Sequence, residues 1–369
     1  MIFIFSYIMI IYVLLILLLT YGFNKVKIIT NDKLEPATNF SIIVPFRNEE
    51  KDFLNLLNSI SRLNYPKNLF EIIVVDDESS DNSVAIFNKW QLENETISAR
   101  LLQNKRLSNA PKKDAIQTAI DSIKNDWIIT TDADCVVLPN WLLAYDNLIQ
   151  TSNAEMVVGA VSISKTNGFL NNFQVVDLLS LQGATIGSFG LKLPFMCNGA
   201  NFAYTKKLFL ELNGFEGNDK ITSGDDVFLL QKAIKNCSEK VFYLKNNESI
   251  VYTKSEESWS DLFFQRVRWA SKTTSYDGFF GKFLAVIVFL VNFWLIICFA
   301  FLPLFFCLIF FGIKIIIDLI LINKTNDFFN NQRFIFPIFE SLFYPIFSVS
   351  VAFYSFFGGF EWKNRRFKM

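Results

Sequence analysis

The stretch Ile72-Ile73-Val74-Val75-Asp76-Asp77 decides the reading of this chain. Four β-branched residues in a row describe a short strand buried on both faces, as in a parallel sheet. Two acids then emerge together at its carboxyl end. Upstream, Ile42-Ile43-Val44 has the same character, and residues 50–62 between the two runs place Phe53, Leu56, Leu57 and Ile60 at helical spacing. Downstream, the pattern predicts a helix over 80–91, a strand near 99–103, a helix over 112–124 and a strand over 127–131. Strands alternating with helices of this length imply a parallel α/β sheet. Ligands of such sheets sit outside the carboxyl ends of the strands.

Those ends carry the polar residues. The first strand runs into Pro45-Phe46-Arg47-Asn48-Glu49-Glu50, and the second into Asp76-Asp77-Glu78-Ser79-Ser80-Asp81. Carboxylates there can accept hydrogen bonds from a base edge or ribose hydroxyls. Ser80 and Asp81 also suit the cap of the next helix. The strand Trp127-Ile128-Ile129-Thr130-Thr131 delivers Asp132-Ala133-Asp134. If the segment stays extended, period-two alternation puts both carboxylates on one side, where they suit Mg²⁺ or Mn²⁺. Lys112 and Lys113 can approach a phosphate, or simply open a solvated helix.

Residues 194–204 resemble a strand in which Gly199 permits close backbone approach and Asn198 and Asn201 are polar exceptions. Gly224-Asp225-Asp226 precedes Val227-Phe228-Leu229-Leu230, either as a helix cap or as the source of a general base. In Gln265-Arg266-Val267-Arg268-Trp269, helical spacing puts Gln265, Arg268 and Trp269 on one face. Taken alone, this last group also suits a membrane-interface anchor.

Composition narrows the chemistry. The 369 residues include no histidine, which excludes His bases, Ser-His-Asp and Cys-His nucleophile systems and His-ligated zinc or iron. Acid–base work falls to Asp, Glu, Lys, Tyr or Cys, and any metal to oxygen ligands. Lys plus Arg and Asp plus Glu balance at 35 each, so no global field draws nucleic acid. The five cysteines form no CxxC pair and are expected as free thiols, small buried hydrophobes in a reducing compartment.

Half of the composition (51%) is hydrophobic, with 42 Phe, and the excess is unevenly spread. Residues 1–24 and 283–313 carry no charge, and each exceeds the roughly 20 residues that span a bilayer. The division expected is an anchor at 1–24, a soluble domain at 25–282, apolar helices at 283–360 and a basic tail at 361–369. Lys25 and Lys27 follow the first span, which places the soluble domain in the cytoplasm by the positive-inside rule. The tail, with Lys363, Arg365, Arg366 and Lys368, also favours that side. Three full crossings after residue 282 would put it outside. One segment is therefore re-entrant or interfacial, or 283–322 crosses only once.

Taken together, the motifs resemble the family 2 glycosyltransferases over roughly residues 40–272. The resemblance rests on Val44-Pro45-Phe46-Arg47-Asn48-Glu49, Val75-Asp76-Asp77, Asp132-Ala133-Asp134, Gly224-Asp225-Asp226 and Gln265-Arg266-Val267-Arg268-Trp269. The last is similar to the QxxRW signature of polysaccharide synthases and ceramide-glucosyltransferase-like enzymes. The tail Trp362-Lys363-Asn364-Arg365-Arg366 looks like a basic motif of the latter group.

The resemblance implies an α/β GT-A fold and inverting, metal-dependent hexosyl transfer from a nucleotide-sugar, in the first place a UDP-sugar. The acceptor would be a membrane lipid or glycan, with no nucleic acid involved. Asp76 would hold the uridine and Asp77 the ribose or diphosphate, with Pro45, Arg47, Glu49, Lys113, Asp132 and Arg268 also on the donor. Asp134 with Asp132 would hold Mg²⁺ or Mn²⁺. Asp226 would be the base, with Asp225 one position away where the family often has Glu. Asn198, Gln265 and Trp269 would meet the acceptor. Pro111 stands where a Gly is commoner, which weakens the case for Lys112 and Lys113. The alternatives are a processive polysaccharide synthase and, from another class, a non-catalytic nucleotide-binding membrane scaffold.

Overall fold

The computed structural model describes residues 2–30, 34–164, 167–217, 224–271, 278–330, 337–357, 360–362 and 365–367. Contacts divide the chain into two units. One comprises Lys27–Ser162 and Met196–Lys254; the other comprises Met1–Val26, Ile163–Phe195 and Ser255–Met369.

The first unit is built on strands β1 (Phe40–Phe46), β2 (Phe70–Asp76), β3 (Ser98–Gln103), β4 (Trp127–Thr130), β6 (Met156–Gly159), β8 (Phe202–Thr205) and β9 (Val241–Leu244). They form one sheet in the order β3-β2-β1-β4-β8-β6-β9. β1 lies parallel to both β2 and β4, and β2 parallel to β3, while β8 runs antiparallel to its neighbours β4 and β6. The sheet is thus mainly parallel, as expected. A small second sheet joins β5 (Cys135–Val136), β10 (Val251–Thr253) and β7 (Val161–Ile163) in the order β5-β10-β7.

Helices α2 (Phe53–Ser61), α3 (Ser83–Glu93), α4 (Pro111–Ile120), α5 (Trp141–Gln150), α7 (Lys206–Glu211) and α8 (Asp225–Cys237) complete the unit. Ile42, Val44, Ile72 and Val74 pack with Phe53, Leu56, Leu57, Phe87 and Trp90 in one buried core. Each such side chain contributes roughly 1.5–3 kcal/mol on burial. The chain winds from β1 through β2 to β3 and then returns to lay β4 on the other side of β1. That reversal between β1 and β4 is a topological switch point, the place where open α/β sheets bind ligands.

Two expectations are corrected here. Residues 198–201 are not strand: Gly199–Asn201 form a single 3₁₀ turn, and β8 begins only at Phe202. Buried Asn201 accepts from Trp141 Nε1 (2.9 Å) and Tyr145 Oη (2.8 Å) and donates to the Ala160 (2.7 Å) and Ser249 (2.9 Å) carbonyls. The turn itself is closed by the Asn201 N–H on the Asn198 carbonyl (3.0 Å). Asp132-Ala133-Asp134 is likewise not extended. β4 ends at Thr130, and the Cys135 N–H closes a turn on the Asp132 carbonyl (3.1 Å).

The second unit holds α1 (Ile2–Lys25), α6 (Phe169–Gly190), α9 (Trp259–Ala270), α10 (Phe279–Phe301), α11 (Leu304–Asn330) and α12 (Ile338–Phe357), with a short hairpin of β11 (Phe360–Trp362) and β12 (Arg365–Phe367). Among the described residues four helices, α1, α10, α11 and α12, are long and apolar enough to cross a membrane. α10 and α11 break at Leu302 and Pro303, where a proline lacks the N–H that would continue the helix. Lys363, Asn364, Lys368 and Met369 of the basic tail lie outside the described residues.

α6 supplies the small-residue face of this unit. A Cβ on Gly190 would lie 1.8 Å from the Gly22 carbonyl oxygen, one on Gly187 2.4 Å from the Leu19 carbonyl oxygen, and one on Gly183 2.4 Å from Thr325 Oγ1. Glycines at 183, 187 and 190 therefore let α6 touch the α1 backbone and seat α11, the close approach that small residues give packed apolar helices. In the middle of α11 two opposite charges are paired: Lys314 Nζ lies 2.6 Å from Asp318 Oδ2, and Tyr12 of α1 donates to Asp318. Gly190→Ala is expected to lower the melting midpoint of the full chain in detergent by several degrees. Gly312→Ala, with nothing within 4 Å of its new methyl, should leave it unchanged or slightly raised.

Candidate active site

The loops leaving β1 and β2 are fastened to each other. Asn48 and Glu78 both sit in left-handed backbone (φ +53° and +59°), a costly state for residues other than Gly unless neighbours fix it. The Asn48 carboxamide oxygen accepts from Ser80 N (2.8 Å), and Asn48 N donates to Ser79 Oγ (3.0 Å). Glu49 N donates to Ser83 Oγ (2.8 Å) and Glu50 N to Asp81 Oδ2 (3.0 Å). Asp81 also accepts from Ser83 N at the start of α3, but the cap position is Asn82, without a side-chain capping bond, and not Ser80 or Asp81 as the sequence suggested. These bonds to Glu50 and Ser83 help hold the Asp81 carboxyl below its ordinary pKa, against the opposing effect of burial.

Asp76 and Asp77 are both buried. Asp76 Oδ1 accepts from Ser79 N (2.9 Å) and so shapes its own loop. Asp77 Oδ1 accepts from Asn104 Nδ2 (2.7 Å) and Arg106 Nε (2.8 Å), while Arg106 Nη2 reaches Glu78 Oε2 (2.9 Å). Half-buried Arg47 donates to the carbonyls of Asp77 and Glu78. Pro45 precedes it on β1 in register with Val75. Sequence reading missed Arg106 and Asn104, because nothing in their local pattern marks a partner 29 or 27 positions away.

The third strand end is organised by Lys112. Its ammonium lies 2.6 Å from Asp132 Oδ1 and 3.7 Å from Asp225 Oδ2. Burial alone would lower its pKa, but the carboxylates of Asp132, Asp225 and Asp226 together hold it well above the ordinary lysine value. Lys113, the lysine named from sequence for the donor, is instead buried, with its ammonium 5.1 Å from the Phe228 ring centroid. Asp134 lies in the same turn as Asp132. Burial works to lower the Lys254 ammonium, but its bond to Asp52 and the fields of Asp52, Asp134 and Glu49 hold it above its usual pKa.

α8 brings Asp225 and Asp226 to this cluster. It starts at Asp225 because Gly224, in left-handed backbone (φ +81°), turns the chain into the helix. Asp225 is buried beside Lys112. Asp226 is partly exposed; its Oδ2 accepts from Gly199 N (2.8 Å) and its Oδ1 from Val227 N (2.7 Å). Thr130 Oγ1, at the end of β4, donates to the Gly199 carbonyl (2.7 Å). A Cβ on Gly199 would meet Asp225 Oδ2 at 3.1 Å and Lys112 Nζ at 3.4 Å. Close backbone approach at Gly199 is therefore real, although the turn around it is not a strand. Asn198 uses its own side-chain oxygen to cap that turn through Ala200 N (3.0 Å).

In the second unit, the signature on α9 forms a connected polar group. Gln265 donates to Glu256 and accepts from Arg266. Buried Arg266 pairs with Asp177 of α6 (2.6 Å) and lies over Trp269, 4.2 Å from its ring centroid. Arg268 is half-buried on the same helix.

Among the described residues no group of three or more Asp, Glu, Cys or His side chains converges as a metal cage. The Asp132 and Asp134 carboxylates do supply hard oxygens of the kind Mg²⁺ and Mn²⁺ accept. Such ions commonly take one or two protein carboxylates, completing their shell with substrate phosphates and water. The donor set fits an ion that arrives with a diphosphate.

Acid-ended strands at the switch point of a mainly parallel sheet define a nucleotide-binding α/β domain of the GT-A class. Two family models match: glycosyl transferase family 2 over residues 41–212, and glycosyl transferase family group 2 over residues 127–354, more than half of the chain. The chain belongs to the family 2 glycosyltransferases.

Among curated relatives, a probable glycosyltransferase of Sulfolobus acidocaldarius is 24% identical over 62% of this chain and 48% of its own length. The poly-β-1,6-N-acetyl-D-glucosamine synthase of Staphylococcus aureus is 26% identical over 68% of this chain and 57% of its own length. The chain thus spans about half the length of the curated relatives it matches. A mannosyltransferase from Pyrobaculum calidifontis, solved in complex with GDP-Man and Mn²⁺, shares the fold with a TM-score of 0.62 at 17% identity, covering 96% of this chain and 98% of that one.

Gly199→Ala is expected to cost about 1–3 kcal/mol by pressing on Asp225 and Lys112, read as a lower melting midpoint of the purified chain. Asp226→Asn should cost less, since its amide oxygen can still accept from Gly199 N–H.

Proposed function

We propose that the chain transfers a sugar, with inversion, from a nucleotide-sugar to a membrane lipid or glycan acceptor. The observation that carries this reading is the gathering of Asp132, Asp225 and Asp226 around one lysine beside the β1–β4 switch point, next to the buried pair Asp76 and Asp77. A UDP-sugar is the donor the family resemblance implies. The GDP-Man of the Pyrobaculum enzyme makes GDP-mannose the second to try.

In this reading Asp76 and Asp77 take the nucleoside, with Pro45, Arg47 and Glu49 along the neighbouring loop. Lys112 faces the diphosphate in place of Lys113, which is buried. A Mg²⁺ or Mn²⁺ ion held by Asp132 and Asp134 would supply a Lewis acid for the departing diphosphate. Asp226 is the base, its carboxylate aligned by two backbone N–H groups. It takes the proton of the acceptor hydroxyl, whose oxygen attacks the anomeric carbon as the bond to the diphosphate oxygen breaks on the opposite face. Asp225, with its Oδ2 3.7 Å from the Lys112 ammonium, fixes that ammonium in place.

The catalytic unit would face the cytoplasm of a bacterial-type inner membrane, as Lys25 and Lys27 after α1 favour. Of the four apolar helices, α12 carries Glu340 in its first turn and Pro345 in its interior, and it packs on α9. It is the segment we assign to the interface, which returns the basic tail to the cytoplasmic side. The S. aureus relative's name supports a second reading, repeated addition to a growing polymer.

Membranes containing the full chain are expected to convert a labelled UDP-sugar into glycosylated lipid or glycan, with the product lost on EDTA treatment. Asp226→Asn should lower the rate about 10²–10⁴-fold. If Asp225→Asn abolishes transfer while Asp226→Asn retains it, the base is Asp225. Long polymer on a gel would establish the repeated-addition reading. No transfer from any UDP- or GDP-sugar would leave a nucleotide-binding scaffold.

A further inference from the structure

The ammonium of Lys112 stands where a metal ion would have to compete. It is 2.6 Å from Asp132, one of the two carboxylates of the β4 turn, and 3.7 Å from Asp225 on α8. A charge-assisted contact of that length is among the stronger polar interactions a protein makes. A divalent ion approaching Asp132 in the free protein must break it. That would leave the ammonium with the more distant carboxylate of buried Asp225 and the field of Asp226. Asp134, in the same turn, adds only one further carboxylate, and among the described residues no third acid completes a cage. The free protein is therefore poorly disposed to hold a metal by itself.

A diphosphate changes this balance. It brings phosphate oxygens that complete the ion's coordination, and it offers Lys112 new anionic partners to replace Asp132. Two exchanges can then occur together: Asp132 passes from lysine to metal, and Lys112 from Asp132 to phosphate. Every charge keeps a partner throughout. Lys112 starts the first turn of α4, after Pro111 at its first position, so its backbone is fixed while its side chain can swing.

Resting on the metal-dependent donor reading above, we propose that Lys112 is a placeholder cation. It neutralises Asp132 in the free protein and so makes metal binding conditional on the nucleotide-sugar. Metal and donor would thus enter as one unit, and the carboxylate cluster would not hold a metal between turnovers.

The test is binding of Mn²⁺ to the purified full chain in detergent, followed by electron paramagnetic resonance of the free ion, with and without UDP. Unaltered protein is expected to bind Mn²⁺ weakly alone and at least tenfold more tightly with UDP, within the usual range of coupling between two ligands. Lys112→Met and the milder Lys112→Gln should each bind Mn²⁺ without UDP about tenfold more tightly than the unaltered protein, and Asp132→Asn should abolish the gain. Two neutral variants keep the test open if one fails to fold, and Lys112→Arg, which keeps the charge, should behave like the unaltered protein. If UDP promotes Mn²⁺ binding through Asp132 but neither neutral variant binds the ion more tightly alone, the placeholder role is overturned while the metal-dependent donor reading stands. If no Mn²⁺ binds with UDP present and Asp132→Asn changes nothing, both are overturned.

Discussion

The ion pair between Lys112 and Asp132, extended to Asp225, is the contact on which the candidate site depends. A sheet that ends three neighbouring strand loops in acids concentrates negative charge at one edge. Buried or half-buried carboxylates are costly unless paired. This chain meets the cost locally. Arg106 answers Asp77 and Glu78, Lys254 answers Asp52, and Lys112 answers the acids of the β4 turn and α8. The zero net charge is thus organised around the site as well as balanced over the chain.

The same pairing fixes the backbone. Lys112 begins α4, Asp132 follows β4 and Asp225 begins α8, so one ammonium ties three elements distant in sequence. The Gly199 turn closes the arrangement: its carbonyl accepts from Thr130, its N–H donates to Asp226, and its missing side chain leaves room for Asp225 and Lys112. With no histidine in the chain, base chemistry falls to carboxylates, and Asp226 is partly exposed and aligned by two N–H donors.

Much of this was legible in the sequence because it is local. β1, β2 and β4 announce themselves as runs of Ile, Val and Thr, and the acids lie immediately after them. What stayed hidden depends on tertiary contacts. The Asp132-Ala133-Asp134 turn looks like a continued strand until its hydrogen bond is known. Asn201 looks like a polar exception in an apolar strand, yet all its bonding capacity is spent inside the core. α6 escaped notice because it is buried on most sides with Asn171, Gln174, Asp177 and Gln182 interleaved among apolar residues, so no single polar face marks it. Neighbouring lysines cannot be told apart by pattern; only packing shows Lys113 under Phe228 and Lys112 at the carboxylates.

The central claim is that these strand ends bind a nucleotide diphosphate together with a divalent ion. Calorimetric titration of UDP into the purified full chain, once with Mn²⁺ and once with EDTA, tests it most directly. The account predicts saturable binding with Mn²⁺ and an affinity at least tenfold weaker in EDTA. Equal affinity in both conditions, or no binding in either, would contradict it.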